Sequence, residues 1–425
     1  MGLMGLMGPI GLIGLMGPMG PIGLIGLIGL MGLMGCSEAE EGVQRTVLEA
    51  QYCATAFEEK VPASGARAWE PVTRAWTPPT GYSTYENFTA MFAEQVNLFY
   101  KSIDVFFTQD GVAPMQGTFF YKESSSSWRF DTETDLKSET YYVYGFIPKE
   151  VAEGATISSS ATANDNSSYS NGAVLTISGL KSVTHSDVSV IVGAKNGLSD
   201  DNDDGLTRGD FAVAAKETST SGATGNHIFL LFDHLYAALR FNFRVEDEYA
   251  QLRTIKLTKL ELTAFESVNT TAKIKAKYNA TVTLTKTTGG ASPIASVVFT
   301  PDASSADVPY EPIYSGDEVE LPSGKYPDGA QAGEDKYTSF MGCFVPGQNT
   351  YFQLRTTYNV YDRQGNKIRE GCVAENAIDL RSIFSMTATQ LEAGHRYNVS
   401  ITVKPTYLYV LSEPDLDNPT VSIEH

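Results

Sequence analysis

A short acidic run in the middle of the chain has the spacing of a cation-binding loop. Asp200, Asn202, Asp204 and Gly205 match the start of a calcium loop of the form D-x-[DN]-x-[DN]-G. Alternating oxygen ligands followed by a glycine turn can wrap a hard cation such as Ca²⁺. Phe211 stands at the twelfth position, where such a loop needs a glutamate. The sequence leaves a calcium site and a solvated acidic loop as interpretations, and favours the solvated loop.

The rest of the chain shows no pattern that predicts catalysis. The five histidines, at positions 185, 227, 234, 395 and 425, have no spacing typical of metal ligands, and no CxxC pair occurs. No GxSxG elbow, P-loop or dinucleotide fingerprint is present in the body of the chain. His234 is predicted to be a core or interface histidine. We therefore expect a protein that is not an enzyme and that has no cofactor apart from the calcium considered above and a lipid considered next.

Cys36 has the surroundings of a lipidation site. Residues Leu33-Met34-Gly35-Cys36 resemble the bacterial lipobox, in which the cysteine carries a lipid and becomes the mature N-terminus. Ser37 and an acidic run from Glu38 to Glu41 follow at once, which resembles the surface-export tag of Bacteroidetes lipoproteins. The sequence therefore predicts an N-terminal lipid on Cys36, an outer-membrane anchor and a signal peptide over residues 1–35.

The segment before Cys36 allows two other interpretations. It contains no charged side chain, and glycine recurs at every third position from Gly2 to Gly35. Strict glycine periodicity is typical of collagen, because only glycine fits the axis of the triple helix, but just three prolines occur here. An uncharged run of this length could also span a membrane, although repeated glycine disfavours a stable helix. The lipoprotein signal is the favoured interpretation.

The other three cysteines could include one disulfide. If Cys36 carries lipid, Cys53, Cys343 and Cys372 remain, and an odd number cannot all pair within the chain. Cys343 and Cys372 each follow a glycine and flank a hairpin-like segment, so they could meet across strands. Two separate buried thiols are the alternative.

The body of the chain is predicted to be all-β. Short runs rich in β-branched and aromatic residues recur between Gly, Pro, Asn, Asp and Ser. Leu239–Val245 and Ile255–Leu262 alternate apolar with polar residues, which predicts antiparallel strands with one buried face. Residues 362–366 read as a hairpin turn between strands at Tyr351–Tyr361 and Lys367–Val373. Many short strands and few helices predict sandwiches or open barrels.

Composition and length divide the chain into four parts. The body is long enough for about two domains, and Ser/Thr/Asn-rich stretches mark loops at Ser158–Asn171 and Thr218–Asn226. We expect a signal peptide, a tether with a removable first strand, an N-terminal β-sandwich and a C-terminal β-sandwich with an extended tail. Their predicted bounds are residues 1–35, 36–70, 71–225 and 226–425.

Several stretches in order resemble the fimbrillin family, the type V pilus subunits and fimbrillin-like surface lipoproteins of Bacteroidetes. The stretches that carry the resemblance are Trp128–Phe130 with Tyr144–Pro148, Asp210–Ala214, Phe232–Phe241 with Tyr249 and Ile255–Leu257, and Leu391–Val399 with Leu416–Pro419. The resemblance implies two tandem transthyretin-like β-sandwich domains in a lipoprotein precursor.

The resemblance also implies a mode of assembly. In characterised members a trypsin-like protease cuts after an arginine near the N-terminus, and a strand of the next subunit fills the groove that the first strand leaves. A donor strand of this kind satisfies unpaired backbone groups, which is β-augmentation. The candidate first strand is Thr46–Phe57, the candidate processing sites are Arg67 and Arg74, and the candidate donor is Thr406–Ile423.

The sequence and the resemblance are compatible with two functions. The first is a structural, adhesive pilus subunit whose partners are other pilin subunits. The second is a monomeric surface lipoprotein on the same fold that binds host or bacterial glycans or proteins. Both place the protein at the cell surface. The net charge of −19 argues against nucleic acid as a partner, because binding phosphates requires clustered Lys and Arg.

Overall fold

The computed structural model describes most of the chain that follows residue 48. The described residues are 49–55, 58–60, 82–84, 102–122, 127–130, 140–159, 168–196, 211–212, 227–267, 270–286, 293–329, 331–347, 351–384, 391–408 and 413–423. They are nearly all β, in several antiparallel sheets, which confirms the all-β fold class.

The described part contains twenty-three strands and two α-helices of one turn each. The strands are β1 (Glu49–Thr55), β2 (Glu58–Lys60), β3 (Tyr82–Thr84), β4 (Ser102–Gln109), β5 (Val112–Lys122), β6 (Ser127–Phe130), β7 (Thr140–Ile147), β8 (Gly154–Ser159), β9 (Gly172–Lys181), β10 (Val183–Thr184), β11 (Ser189–Asn196), β12 (Phe211–Ala212), β13 (His227–His234), β14 (Ala237–Val245), β15 (Thr254–Phe265), β16 (Lys277–Thr285), β17 (Ile294–Pro301), β18 (Glu311–Glu320), β19 (Thr338–Phe344), β20 (Tyr351–Tyr361), β21 (Lys367–Asp379), β22 (His395–Leu408) and β23 (Glu413–Ile423). The helices are α1 (Asp247–Ala250) and α2 (Leu380–Ile383), and 3-10 turns lie at Lys149–Val151 and Tyr169–Asn171.

Two sheets enclose a first hydrophobic core. The larger has the strand order β11-β13-β1-β6-β5-β4-β7-β12, with β3 paired to β1. Because β7 also pairs with β11, the ladder closes on itself. The smaller sheet has the order β17-β16-β9-β8. Fully buried residues of both sheets, among them Phe119, Phe146, Leu175 and Val282, form one cluster between them.

Two further sheets enclose a second core. One has the order β10-β19-β14-β22-β2, with β23 also paired to β22, and the other has the order β18-β15-β20-β21. The predicted alternation is confirmed in β14, where Leu239, Phe241 and Phe243 are fully buried and Arg240 and Asn242 face the opposite side. Period-two alternation therefore places one side of each strand in a core, as in a β-sandwich.

The predicted hairpin between β20 and β21 is confirmed. The two strands pair antiparallel, from Tyr351 opposite Asp379 to Tyr361 opposite Lys367. The carboxylate of Asp362 accepts hydrogen bonds from the backbone N–H groups of Gln364 and Asn366, and Gly365 has a φ of 83°. The side-chain carboxylate satisfies backbone donors that the turn leaves unpaired, and glycine adopts the positive φ without steric cost.

The two cores do not divide the chain at a single point. Strand β13 lies in the first large sheet, and β14, two residues later, lies in the second. The chain then returns to the first core with β16, whose residues Ala280, Val282 and Leu284 are fully buried there. Residues 213–226 lie outside the described residues, so the predicted boundary at residues 225 and 226 stays a prediction.

Candidate functional site

Strand β1 is an interior strand that uses both of its edges. On one edge it runs parallel to β13, with Glu49–Ala54 opposite His227–Phe232. On the other edge it runs antiparallel to β6 at Glu49 and Ala50, and to β3 from Cys53 to Thr55. The predicted first strand, Thr46–Phe57, is therefore a strand from Glu49 to Thr55, and it closes the first sheet between β13 and β6.

The neighbours of β1 belong to the first core. Leu230 and Phe232 on β13 are fully buried, and Trp128 on β6 is 4% exposed. Loss of β1 would leave an open slot between β13 and β6 with unpaired N–H and C=O groups along both sides. Such a pair of strand edges is a template for another extended chain.

The chain enters the second sandwich only two residues after β1. Strand β2 runs parallel to β22, with Glu58, Glu59 and Lys60 opposite His395, Arg396 and Tyr397 in that order. The N–H of Glu58 donates to the carbonyl oxygen of Gly394 at 2.8 Å, and the Asn398 amide donates to that of Lys60 at 3.2 Å. The N-terminal segment therefore completes one sheet in each sandwich.

Charged side chains surround β2. The Glu58 carboxylate lies 2.6 Å from Lys60 Nζ and 2.9 Å from His395 Nε2, and His395 also lies 3.3 Å from Glu392. The hydrogen bond from Lys60, followed by the charge of His395, lowers the pKa of Glu58. On the next residue of β22, burial lowers the pKa of Arg396 to about 10. The end of β22 that accepts β2 thus presents His395 and Arg396, with Glu392 beside the histidine.

The C-terminal strand β23 covers the remainder of the same edge of β22. It pairs antiparallel with Ile401–Leu408, while β2 pairs with His395–Tyr397, and β14 occupies the opposite edge. β2 and β23 therefore lie end to end. The predicted donor segment, Thr406–Ile423, comprises the end of β22 and all of β23, and β23 is seated on its own chain.

Side chains of the body hold β23 on its other side. The donors are Tyr249 Oη to the Leu416 carbonyl (2.8 Å), Arg253 Nε and Nη2 to Asp417 Oδ1 (3.0 and 2.7 Å), Tyr358 Oη to the Pro419 carbonyl (3.1 Å) and Asn376 Nδ2 to the Val421 carbonyl (2.7 Å). The ladder with β22 is interrupted, because Pro405 pairs with Pro419 but the next residue of β22, Thr406, pairs with Asp415. Residues 416–418 are therefore held mainly by side chains, which are easier to exchange than a complete ladder.

Most of the site residues expected from the sequence lie outside the described residues. These are Cys36, the candidate processing sites Arg67 and Arg74, and the candidate calcium ligands Asp200, Asn202 and Asp204. Among the described residues there is no group of three or more His, Cys, Asp or Glu that could hold a metal ion. Within the same described residues, no helix has the length and hydropathy of a membrane span.

Cys343 and Cys372 are both free thiols. Cys343 lies on β19 and is fully buried, and Cys372 lies on β21 and is half-buried. The two strands belong to different sheets of the second sandwich. The alternative of two separate thiols is therefore the one that the structure shows.

His234 forms part of a buried polar cluster. Its burial agrees with the prediction of a core or interface histidine. Its Nδ1 lies 2.8 Å from Asp187 Oδ2, and both side chains are almost fully buried. The Ser189 hydroxyl donates to the same carboxylate oxygen and lies 3.4 Å from the same Nδ1. In a catalytic triad the serine and the carboxylate contact different nitrogens of the histidine, so this arrangement does not activate Ser189 as a nucleophile.

The β2 site could not be found from sequence patterns alone. Glu58 and His395 are separated by most of the chain, and Glu58 lies in no recognisable motif. The available signal was indirect, namely two adjacent acidic residues just after the candidate first strand and a His-Arg pair in the C-terminal stretch of the resemblance.

Comparisons with known proteins found likenesses among solved structures. The chain is similar to a candidate cell adhesion protein of Bacteroides fragilis NCTC 9343 (12% identity, 88% of this chain and 97% of that one, TM-score 0.29). It is also similar to a fimbrial protein of Bacteroides vulgatus ATCC 8482 (11%, 87% and 98%, 0.28) and to the fimbrial anchor protein Mfa2 of Porphyromonas gingivalis (9%, 88% and 97%, 0.24).

These neighbours are the kinds of protein that the sequence resemblance names. At such low identities and TM-scores, however, the likeness is not in itself evidence of function. No family model and no curated protein matches the chain.

Proposed function

We propose that this protein is a fimbrial, adhesive subunit of the bacterial surface that assembles by strand exchange once its first strand has been removed. The observation that carries the proposal is the interior position of β1, between β13 and β6. A removable strand creates an acceptor slot only if it has neighbours on both sides, and β1 has them. The order of the sequence stretches that resemble fimbrillins supports the same function.

The positions of the arginines fit this proposal. Arg67 and Arg74 follow β2, so a cut after either one separates both β1 and β2 from the body. Arg45 precedes β1, so a cut there leaves both strands attached. Removal at Arg67 or Arg74 would therefore open the slot in the first sandwich and, at the same time, the edge of β22 in the second.

Strand β23 is the candidate donor of the next subunit. Among the described residues it is the last strand, and there it pairs through its backbone with β22 alone. Beyond β22 it is held by side-chain hydrogen bonds, chiefly from Tyr249, Arg253 and Tyr358, and by Val421, which is buried in the second core. Pro414 and Pro419 lack a donor N–H, so in an acceptor slot β23 would make an interrupted ladder.

The anchor of the precursor belongs to the same proposal and depends on the sequence. A lipid on Cys36 would attach the chain to the outer membrane, and removal of the segment that ends at Arg67 or Arg74 would also release that lipid. Processing would then convert an anchored monomer into a free subunit with an open acceptor. Calcium at Asp200, Asn202 and Asp204 is not needed for this assembly.

The proposal is tested by trimming the purified protein with trypsin and following its size. We expect loss of the segment up to Arg67 or Arg74, followed by a ladder of oligomers that survives warm detergent. The matched variants are K60Q/R67Q/R74Q, which has no trypsin site between β1 and residue 74 and should keep β1 and stay monomeric, and R45Q, which should behave as the parent. Trimmed protein that stays monomeric at high concentration would contradict assembly by strand exchange, and glycan binding by the untrimmed monomer would favour the monomeric surface lipoprotein.

A further inference from the structure

The pairing of β2 with β22 brings two adjacent acids opposite two adjacent bases. In parallel register, Glu58 is the partner of His395 and Glu59 is the partner of Arg396. Interactions between opposite charges on neighbouring strands stabilise a particular register, and like charges disfavour it. The pattern therefore selects which extended segment can occupy this edge of β22.

The first position of the pattern is formed by His395. Its ring is 14% exposed and lies 2.9 Å from the carboxylate of Glu58, a side chain that is itself 64% exposed. Gly394, which precedes His395, accepts the backbone hydrogen bond of Glu58 at 2.8 Å. A residue in the place of Glu58 thus meets the backbone acceptor of Gly394 and the ring of His395, which also lies 3.3 Å from Glu392.

The second position is formed by Arg396 and its neighbour on β14. Arg396 is 8% exposed, and Arg240 lies on the adjacent strand, where Ala238 is paired with Arg396 and Arg240 with Asn398. The Nε of Arg240 is buried and has no hydrogen-bond partner among the described residues. Burial lowers the pKa of Arg240 and Arg396 alike. Two guanidinium groups so withdrawn from water cost free energy, which a carboxylate placed beside them by an incoming strand would offset.

We propose that His395 and Arg396 of β22, together with Arg240 of β14, form an acid-selective acceptor for a strand of another subunit. The occupant is an extended segment that runs parallel to β22 and carries acidic residues at two adjacent positions, opposite His395 and Arg396. The inference rests on the proposed function, because removal of β1 and β2 is what vacates the site. The intact chain itself shows the fit, since β2 is seated there with Glu58 and Glu59 in those positions.

A peptide-binding experiment tests the acceptor. Protein trimmed after Arg67 or Arg74, kept dilute, is titrated into a fluorescent peptide of residues 46–60 and into the same peptide with E58Q and E59Q. We expect the acidic peptide to bind about tenfold more tightly, because hydrogen bonds between charged groups are stronger than those between neutral ones. If trypsin does not cut cleanly, a specific protease sequence placed between residues 67 and 74 gives the same product.

Variants of the acceptor identify the residues responsible. R396Q should bring the two peptides within about twofold of each other, whereas K404Q, an exposed position on the same strand, should keep the tenfold preference. If R396Q fails to fold, H395Q should abolish the preference for the parent peptide over one with E58Q alone. Equal affinity of the acidic and amide peptides for the parent protein would overturn the inference.

The outcomes separate this inference from the proposed function. Trimmed protein that prefers the acidic peptide but never polymerises would contradict strand-exchange assembly and would support the acid-selective acceptor. Trimmed protein that polymerises and binds both peptides equally would contradict the acceptor alone.

Discussion

Arg253 donates two hydrogen bonds to one oxygen of Asp417, at 3.0 Å from Nε and 2.7 Å from Nη2. Arg253 follows helix α1, and Asp417 lies in the interrupted part of β23. This contact is the only ion pair between β23 and the rest of the described residues. It fixes the segment of the candidate donor that has no ladder with β22.

The first prediction concerns this ion pair. R253Q should weaken the attachment of β23 by about 0.5–1 kcal/mol, the upper range for a partly exposed pair. The measurement is hydrogen exchange of the β23 amides, which should speed up several-fold. R355Q is the control, because Arg355 pairs with Glu375 on another strand and should leave the exchange of β23 unchanged. Exchange that is equally slow in R253Q and the parent would show that the ion pair does not hold the strand.

The second prediction concerns the buried carboxyl of Asp104. Burial raises its pKa above the ordinary value of 3.8, although Lys149 and a hydrogen bond from Gln116 oppose the rise. A raised folded-state pKa means that the charged form is disfavoured in the fold, so stability is lost as pH rises from about 3.8 through the raised value. D104N should therefore raise the urea midpoint at pH 7, and this gain should shrink toward pH 4.

The control for Asp104 is an exposed carboxyl. D328N should change the urea midpoint little at either pH, because Asp328 is exposed. A D104N midpoint at pH 7 equal to or below that of the parent would mean that the ion pair with Lys149 outweighs the cost of burial.

The third prediction concerns close packing in the first large sheet. A Cβ on Gly145 of β7 would lie 2.1 Å from the carbonyl oxygen of Asp104 on β4. The neighbour is backbone, so it cannot move aside, and G145A should cost about 3 kcal/mol or more, beyond the usual range for overpacking. Thermal unfolding checks this. G111A is the matched control, since Gly111 has a φ of 74° but no atom within 4 Å of an added Cβ, and it should cost about 1 kcal/mol.

The fourth prediction concerns the thiols of the second sandwich. Burial raises the pKa of Cys343 well above its ordinary value, and the thiolate is the reactive form. Cys343 should stay unmodified by a maleimide reagent in the native protein and react after denaturation, while the half-buried Cys372 should react faster in the native state. Peptide mass spectrometry distinguishes the two positions. A disulfide between Cys343 and Cys372 in that map would contradict the structure.

Local patterns in the sequence predicted what is local in the fold. Alternation over Leu239–Val245 identified β14, because one buried face imposes period-two patterning. Ile255–Leu262 is also a strand, β15, but a register shift between Leu257 and Lys259 interrupts its alternation. The Asp362–Asn366 turn was identified by its glycine and by its polar residues, whose side chains can accept hydrogen bonds from the backbone of the turn. A strand was expected over Thr46–Phe57, and the described residues 49–55 of that stretch form β1.

Pairings between distant segments could not be predicted from these patterns. Nothing in the residues of β1 specifies a parallel partner at β13, because backbone ladders are largely independent of sequence. The return of β16 to the first core has the same cause, since Ala280, Val282 and Leu284 would suit either core equally well. The β2 site depends on such a pairing, because only the register with β22 shows which charged residues lie opposite one another.

The most direct test of strand removal is the N-terminal sequence of subunits taken from surface polymers. We predict a first residue of Ala68 or Ala75, immediately after Arg67 or Arg74, with β1 and β2 absent from every polymerised subunit. Polymers whose subunits begin at Cys36 and retain residues 49–60 would contradict it.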